Sequence, residues 1–373
     1  MPIAAELLWT SPHIHHRERL LLPDNALLAD GRWARAAERA RSEGRAELDA
    51  APWITPSGLP VVERPAAGVR LGTSAVPGRF YPRLGFPGLA QGPRDLFPLR
   101  LLDCNEERIR VDPNHPLASG QARLILTPSG QEAAPGQRMI ELFNGPGLQA
   151  LPGDSEVTFF QLSGFQRPDE APDPQFYAEA RLTQHLDAAC RAEISQLYGR
   201  LLQPGQRVLD LLASWDSHLP QAPADLHVAG LGMNREELAA NPRLHEMVEK
   251  DLNERSDLPW GEGQFDVVVC TAAIEYLIRP RQVLAEIRRV LRPGGTCIIT
   301  FSDRWFPPKA IQLWSQLHPF ERLAYVLALL QDAGFRDLHS ETLRGLKRPE
   351  DDKYIDQRNS ADPLFAAWGK VPE

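Results

Sequence analysis

Hydrophobic positions in the second half of the chain follow two alternating patterns. Short apolar runs rich in Val, Ile and Leu are typical of strands covered on both faces. Segments with apolar residues at three- and four-residue spacing separate these runs, which predicts helices with one buried face. The strand-like runs begin near residues 207, 227, 247, 265, 296, 337 and 363, and the helical segments span 234–240, 281–291 and 309–333. Alternating strands and helices predict a doubly wound α/β sheet of seven strands.

Residues 176–202 carry apolar positions at helical spacing, including Leu182, Leu186 and Leu201, which predicts one long helix leading into the sheet. Before it, QRPDEAPDP at 166–174 holds three prolines and acidic residues, so we expect an exposed linker. The first half predicts one Ala-rich helix within 26–51 and short strands between Gly and Pro turns. The predicted division is a mainly β domain at 1–165, the linker, and an α/β domain at 175–373.

Residues 260–300 read as strand, loop, amphipathic helix, Pro-Gly-Gly turn and strand. This order resembles the region between the fourth and fifth strands of class I S-adenosylmethionine (SAM)-dependent methyltransferases, and the last two strands resemble their antiparallel terminal hairpin. The strings VLDL, SWDSHLP, GLGMNREELAANPRL and DLNE are similar to the type 11 methyltransferase-like subfamily, in which SWDSHLP stands for the usual glycine-rich loop. The resemblance spans roughly residues 175–370 and implies a Rossmann-like fold with SAM as cofactor.

In an open α/β sheet, ligands bind outside the carboxyl ends of the strands. Asp210 ends the first strand, where the family has an acidic residue before its glycine loop. The glycines are absent, so we expect the loop to follow a different path. On this interpretation Ser214, Trp215 and Ser217 form the floor of the cofactor site. Alternatively, Asp210 only caps a turn and Trp215 fills a reshaped loop.

The next strand ends contribute further candidates. Gly232, followed by Met233, stands where a carboxylate normally accepts bonds from ribose hydroxyls. Asn234 is the nearest group able to replace it through its amide. Asp251, with Leu252 beside it, is placed to accept from the adenine amine.

The leading helix supplies the last cofactor candidates. Tyr177, Arg181 and His185 would share one face at four-residue spacing, and the resemblance implies a contact between Arg181 and the methionyl carboxylate. Methyl transfer requires mainly in-line placement of a nucleophile, and a base where the nucleophile starts protonated. By location alone, His218 and Glu275 are the candidate bases.

Residues 95–127 give a second signal. A strand, an acidic turn, a strand and the loop VDPNHPLASG resemble part of the SlyD-type FKBP-fold prolyl isomerases, on Asp112, Asn114, His115, Pro116, Leu117, Ala118 and Gly120. We expect a β domain around Leu99, Leu101, Ile109, Val111, Leu117 and Leu124. Phe80 and Tyr81 are candidates for a remnant pocket. Because the rest of that fold is unrecognisable in the sequence, a scaffold is favoured over an active isomerase.

Composition restricts the classes of partner and ligand, and the cellular location, that we expect for this protein. A net charge of -8 without a basic stripe disfavours nucleic acid. Four scattered cysteines argue against disulfides or zinc, and neither a leader nor a membrane-spanning run is recognisable, so we expect a soluble cytoplasmic protein. The cluster of His13, His15 and His16 lacks companion ligands, so we predict a mobile terminus and no metal.

Three functions remain open from the sequence. The first is a SAM-dependent methyltransferase acting on an unidentified small-molecule or protein acceptor. The second is a non-catalytic binding or scaffold protein with a degenerate methyltransferase fold. The third is a folding helper that binds peptides through its FKBP-like half. Asp210 and Asp251 favour the first, since a domain without cofactor has no need for both carboxylates.

Overall fold

A computed structural model describes residues 1–27, 31–54, 59–71, 75–93, 95–118, 121–150, 159–161, 164–223 and 225–373. The first half is mainly β, as expected. Its elements are β1 (Ile3–Ser11), β2 (Ile14–Leu22), α1 (Gly31–Glu43), β3 (Ala46–Asp49), α2 (Ala51–Ile54), β4 (Val62–Pro65), β5 (Phe80–Pro82), β6 (Pro98–Cys104), β7 (Arg108–Asp112) and β8 (Ala122–Pro128).

The second half alternates helices and strands. Its elements are α3 (Asp173–Phe176), α4 (Ala188–Leu201), β9 (Arg207–Leu211), β10 (His227–Gly232), α5 (Arg235–Ala240), β11 (Glu246–Glu249), β12 (Phe265–Thr271), α6 (Pro280–Val290), β13 (Leu291–Phe301), α7 (Gln312–Gln316), α8 (Pro319–Asp332), β14 (Arg336–Arg344) and β15 (Leu364–Lys370). Each of the seven predicted strand segments forms a strand. The single helix predicted over 309–333 is two, because His318 caps the start of α8.

The strands of the second half are contiguous, in the order β11-β10-β9-β12-β13-β15-β14. Strands β9 to β13 pair in parallel, whereas β15 runs antiparallel to both β13 and β14. The expected terminal hairpin is therefore present. Parallel strands bring their carboxyl ends to one edge of the sheet, where the candidate site lies.

The predicted number of seven strands is too small. The sheet has eleven strands, because β2 pairs in parallel with β14 and is followed by β1, β8 and β3. Every position of β14 from Leu338 to Arg344 has a partner on β2. Strand β2 thus covers an edge that would otherwise expose unpaired backbone groups. One sheet crosses the predicted boundary at 166–174.

A second, four-stranded antiparallel sheet has the order β4-β7-β6-β5. The predicted N-terminal core is divided. Leu99, Leu101, Ile109 and Val111 pack with Tyr81 and Phe86 around this small sheet. Leu117 and Leu124 belong instead to the core between α1 and strands β1 and β8, because β8 pairs with β1 and carries Leu124 with it.

The NHPLA segment forms an internal turn. The Nε2 atom of His115 lies 2.7 Å from the carbonyl oxygen of Phe143, and its Nδ1 accepts from the amide of Leu117 at 3.1 Å. Gly120, at the end of the motif, lies outside the described residues. Phe80 and Tyr81 are both buried, so they do not line an open pocket.

The expectation of an exposed linker at 166–174 is wrong for its ends. The guanidinium of Arg167 lies 2.7 and 2.8 Å from the two carboxylate oxygens of Asp173, and both side chains are buried. The fully buried ammonium of Lys309 lies 3.3 Å from the same carboxylate, which also accepts from Asn253 at 2.8 Å. Buried charges need partners, and these partners fasten the segment beside the site.

The prediction of one long helix over 176–202 is also wrong. Residues 173–176 form a single turn, residues 177–187 are not helical, and α4 begins only after Asp187, whose side chain accepts from the amide of Cys190. Polar contacts hold the intervening segment against the strand ends: the amide of Arg181 donates to Glu237, and the indole of Trp215 donates to the carbonyl of Thr183. Tyr177, Arg181 and His185 therefore do not share a helix face.

The histidine cluster is part of the sheet. Strands β1 and β2 form a hairpin. His16 is buried, stacks on Trp9 with ring centroids 3.6 Å apart, and contacts the hydroxyls of Ser11 and Ser340. The prediction of a mobile terminus is wrong, because β14 fixes β2. Across the described ranges no group of three metal-ligating side chains occurs, and no helix there has the length and apolarity to cross a bilayer. All four cysteines are free thiols.

Candidate active site

A cavity of about 390 Å³ opens at the carboxyl ends of the parallel strands. Its size suits a small-molecule ligand. The predicted site residues that line it are Tyr177, Arg181, Asp210, Ser214, Trp215, His218, Met233, Asn234, Asp251 and Leu252. The structure thus brings together candidates from the ends of three strands and from the segment before α4.

The loop after β9 keeps a turn that glycine usually makes. Leu212 adopts a φ of +59°, in the left-handed region. The amide of Ala213 then donates to Leu231 at 2.7 Å. A Cβ atom at Gly232 would lie 2.1 Å from the carbonyl oxygen of Ala213. Gly232 is therefore required by the close passage of this loop, which explains why no carboxylate stands there.

The two serines of the SWDSHLP loop have different surroundings. The hydroxyl of Ser214 donates to Glu237 at 2.6 Å at the cavity wall. Ser217 is buried behind the loop, where its hydroxyl accepts from the amide of Asn241 at 2.9 Å. Trp215 lines the cavity with its ring. Of the predicted floor, Ser214 and Trp215 face the cavity, while Ser217 supports the loop.

Asp210 is a buried carboxyl that lines the cavity. Its Oδ2 atom has no hydrogen-bond partner among the described residues. Burial raises the pKa of Asp210 to about 7, although a hydrogen bond from Ser217 opposes the rise. An orphaned buried acceptor at the cavity wall fits a ligand that brings a donor or a positive charge.

His218 forms a pair with Asp216. Its Nδ1 lies 3.2 Å from the Asp216 carboxylate, which also accepts from the amide of Gln184 at 2.7 Å. The hydrogen bond from His218 holds the pKa of Asp216 well below its usual range. His218 itself has a φ of +54°. Its imidazole is thus tied into the loop, which weakens its candidacy as a base.

Asn234 lines the cavity, but its amide is occupied. Its Oδ1 accepts from the amides of Glu236 and Glu237 and caps α5, and its Nδ2 donates to the carbonyl of Tyr177. The carboxylate of Glu237 was not predicted. It lines the cavity, one turn into α5, and accepts from Ser214 and from the amide of Arg181. The signal available in the sequence was an acidic first helical turn directly after a strand end.

Asp251 ends the connection from β11 and lines the cavity together with Leu252. Its Oδ1 accepts from the amides of Asn253 at 2.7 Å and Glu254 at 3.2 Å. The carboxylate is therefore held in a fixed orientation beside the cavity.

Arg181 sits among aromatic rings at the other wall. Its guanidinium donates to the carbonyl of Phe176 at 2.8 Å and lies 4.5 Å from the ring centroid of Phe176 and 5.4 Å from that of Phe306. Cation–π contacts of this kind orient a guanidinium without neutralising its charge. The group remains able to bind an anion.

Glu275 does not line the cavity. Its side chain is buried in a single turn after β12, and its Oε2 has no hydrogen-bond partner in the described part of the chain. Burial raises the pKa of Glu275 to about 8. A base must reach its substrate, so this position argues against Glu275.

Sequence reasoning missed one side of the cavity. Residues from the segment after β13 and from the connection between β14 and β15 line it together with His185. They are Arg304, Trp305, Phe306, Lys353 and Tyr354. Their sequence signal was weak, because irregular segments carry no periodicity.

Residues 220–299 match the family model described as a methyltransferase domain. The match covers β10 to β13 and lies outside the NHPLA segment, so it gives no support to the isomerase resemblance.

Curated relatives point the same way. The chain is 33% identical over 107 residues to a demethylmenaquinone methyltransferase from Renibacterium salmoninarum, covering 28% of this chain and 45% of that protein. It is 26% identical over 183 residues to a ubiquinone/menaquinone biosynthesis C-methyltransferase from Laribacter hongkongensis, covering 46% and 70%. The chain spans less than half the length of the first of these relatives.

Among solved structures, a SAM-dependent methyltransferase from Aquifex aeolicus shares 16% identity with a TM-score of 0.34, over 50% of this chain and 91% of that one. This likeness is too loose to bear on activity. The family match and the curated relatives support a class I methyltransferase domain in this chain, with SAM as its cofactor.

Proposed function

We propose that this protein is a SAM-dependent methyltransferase. The observation that carries the proposal is the cavity at the strand ends, where Asp210 and Asp251 from the first and third strands of the domain face one space. Two carboxyls at strand ends separated by β10 suit a ligand with separated donors. The methyltransferase match over 220–299 supports the same conclusion.

The residues present fit SAM group by group. Asp210, with its unsatisfied oxygen, would hold the methionyl ammonium, and Arg181 would bind the methionyl carboxylate. Asp251 would accept from the adenine amine. Glu237 is placed to accept from the ribose hydroxyls, the function first assigned to Asn234, and Trp215 would cover the cofactor. When bound, SAM supplies an electrophilic methyl group on a positively charged sulfur.

His185 is the base best placed for a protonated acceptor. It lines the cavity and packs edge-on against Phe306, with centroids 5.0 Å apart. Burial, followed by the nearby cations, lowers the pKa of His185 below its ordinary value. Its imidazole is therefore neutral at pH 7 and can take a proton from an acceptor as the methyl group arrives.

Calorimetric titration of the full chain with SAM and with its demethylated product tests the proposal. We expect both to bind at micromolar concentrations. Absence of binding at millimolar SAM would refute the function. Binding of both, with no loss of SAM in the presence of a broad acceptor mixture, would support the alternative of a non-catalytic SAM-binding protein.

A further inference from the structure

Three cationic side chains face the cavity: Arg181, Arg304 and Lys353. The Arg304 guanidinium has one long ion pair, with a carboxylate oxygen of Asp362 at 3.9 Å, and Arg348 binds that same oxygen more closely. Within the described ranges, no carboxylate lies within 4.0 Å of the Lys353 ammonium or the Arg181 guanidinium. Cations with a weak ion pair or none at the wall of a cavity favour an anionic occupant.

Three of the carboxylates that line the cavity already have partners within the protein. Asp173 is bound by Arg167 and Lys309, and Asp216 is bound by His218. Glu237 already accepts two hydrogen bonds. Neither these carboxylates nor Asp210 and Asp251 lie within 4.0 Å of the charged groups of Arg304 and Lys353.

The cations line the same cavity as His185. After burial, the positive charges of Lys353, Arg181 and Arg304 contribute to the lowered pKa of His185, against an opposing contribution from Glu237. Arg181 would be taken by the cofactor's own carboxylate. Arg304 and Lys353 then remain for the acceptor.

Aromatic rings shape the same side of the cavity. The guanidinium of Arg304 lies 4.1 Å from the ring centroid of Tyr354, and the Lys353 ammonium lies 5.3 Å from it. Trp305 and Phe306 follow Arg304 directly and line the cavity as well. Flat aromatic walls favour a planar ring as occupant.

These residues come from two segments that the methyltransferase match does not cover: residues 304–306 after β13, and residues 353–354 between β14 and β15. The matched segment contributes Asp251 and its neighbours to the same lining. The cavity lining thus combines acidic groups suited to the cofactor with a basic and aromatic set from outside the match.

We propose that the methyl acceptor is an aromatic molecule carrying a carboxylate or phosphate, which Arg304 and Lys353 bind while Tyr354, Trp305 and Phe306 enclose the ring. This inference rests on the proposed function, since it assigns the remaining space of the same cavity. Both anionic groups match the guanidinium of Arg304 through paired hydrogen bonds.

The test measures probe binding to the full chain saturated with the demethylated cofactor product, which prevents turnover. The probes are the three hydroxybenzoates and phenyl phosphate, each compared with hydroxybenzamides and phenol as neutral rings. At least one anionic probe should bind ten times more tightly than every neutral ring. Carboxylate and phosphate sources are distinguished by which probe binds.

Arg304→Gln and Lys353→Gln should each weaken binding of the preferred anionic probe by tenfold or more. Binding of the neutral rings and of the cofactor product should be unaffected. Lys353→Glu should reverse the preference in favour of tyramine, a cationic ring. The matched control is Lys370→Gln, which removes a β15 lysine paired with Asp337 of β14 and should leave binding of every probe unchanged.

The outcomes separate the two proposals. If the cofactor product does not bind to wild type, the proposed function itself fails. If the product binds but no anionic probe exceeds the neutral rings, or if the Gln variants bind the probes as wild type does, the anionic acceptor is refuted and the methyltransferase proposal stands.

Discussion

Three non-glycine residues with positive φ line the cavity: Leu212 at +59°, His218 at +54° and Ala272 at +49°. The left-handed conformation costs about 1–2 kcal/mol per residue outside glycine. Strain of this kind clusters at functional sites, where the surrounding structure enforces it. The loops at these strand ends therefore keep glycine-like geometry at the expense of stability.

Ala272→Gly should relieve part of this strain. The gain of about 1–2 kcal/mol is reduced by the loss of a half-buried methyl group, so we expect a net stabilisation below about 1 kcal/mol in urea unfolding. Ala239→Gly, at an exposed position inside α5, is the control and should destabilise by about 0.5–1 kcal/mol. Equal destabilisation by both substitutions would show that Ala272 is not strained.

Asp251→Asn should weaken binding of the cofactor product. The substitution keeps the oxygen that caps the amides of Asn253 and Glu254, but it removes the second carboxylate oxygen available to a ligand amine. We expect a loss of about 1–3 kcal/mol in calorimetry. The control is Asp257→Asn, an exposed position in the same loop. Unchanged affinity would remove Asp251 from the site.

Glu275→Gln should change the pH dependence of stability. Burial raises the pKa of Glu275 from 4.5 to about 8, so between these values the folded state binds more protons than the unfolded state. The free energy of unfolding therefore falls as pH rises through this window, by at most about 1.4 kcal/mol per pH unit. The variant lacks this term.

Its stability relative to wild type should accordingly increase from pH 5 to pH 8, measured by urea unfolding at each pH. Glu262→Gln, at an exposed position, should show no such trend. A constant difference between Glu275→Gln and wild type over this range would mean that the carboxyl titrates normally.

Candidate residues were predictable where a strand end fixed their place. Asp210 lies at the end of the buried run of β9, Asp251 follows the half-exposed strand β11, and both line the cavity. Asn234 was placed correctly and its cap of the Glu236 and Glu237 amides is local, but its Nδ2 is also occupied by the carbonyl of Tyr177, 57 positions away. Hydrogen-bond partners at such separation leave no local pattern in a sequence.

At the scale of elements, the segment before α4 shows how helical spacing can mislead. Leu182 and Leu186 lie four residues apart, yet Leu186 is buried while Leu182 is half exposed in an irregular stretch. The Arg181 amide donates to Glu237, and the Trp215 indole donates to the carbonyl of Thr183. These tertiary hydrogen bonds outweigh the helical propensity of the stretch. The segment consequently forms a wall of the cavity.

Asp173 fastens this wall, so Asp173→Ala should be costly. The substitution leaves the buried charges of Arg167 and Lys309 without their shared carboxylate. We expect a destabilisation of about 3–5 kcal/mol in urea unfolding. Asp169→Ala removes a more exposed partner of Lys309 and should cost much less than Asp173→Ala. Similar losses in both variants would contradict a specific anchoring role for Asp173.

At the scale of the whole molecule, periodicity predicted the seven strands of the second half but not the size of the sheet. Each strand of that half has a local apolar run, and the strands beside it lie in the same half of the chain, except for β2 beside β14. The pairing of β2 with β14 joins residues more than 300 positions apart, as in the contact between His16 and Ser340. The composition of neither strand identifies the other as its pairing partner.

Removal of residues 1–165 should therefore destabilise the remainder. The truncated chain exposes the β14 edge, including Ser340 and Thr342, which are buried in the full chain. Exposed edges favour association. We expect a lower melting temperature and concentration-dependent oligomers in size-exclusion chromatography. A monomeric fragment with the melting temperature of the full chain would establish 166–373 as an independent domain.

The pairing of β2 with β14 also bears on how the chain is made. Strands β2, β1, β3 and β8 have all left the ribosome once residue 128 has emerged, but the partner of β2 follows 324 positions after His16. At about 5–20 residues per second, this interval lasts roughly 15–65 s. During synthesis the β2 edge must stay free of other strands, so we expect the nascent chain to be vulnerable to misassembly until β14 appears.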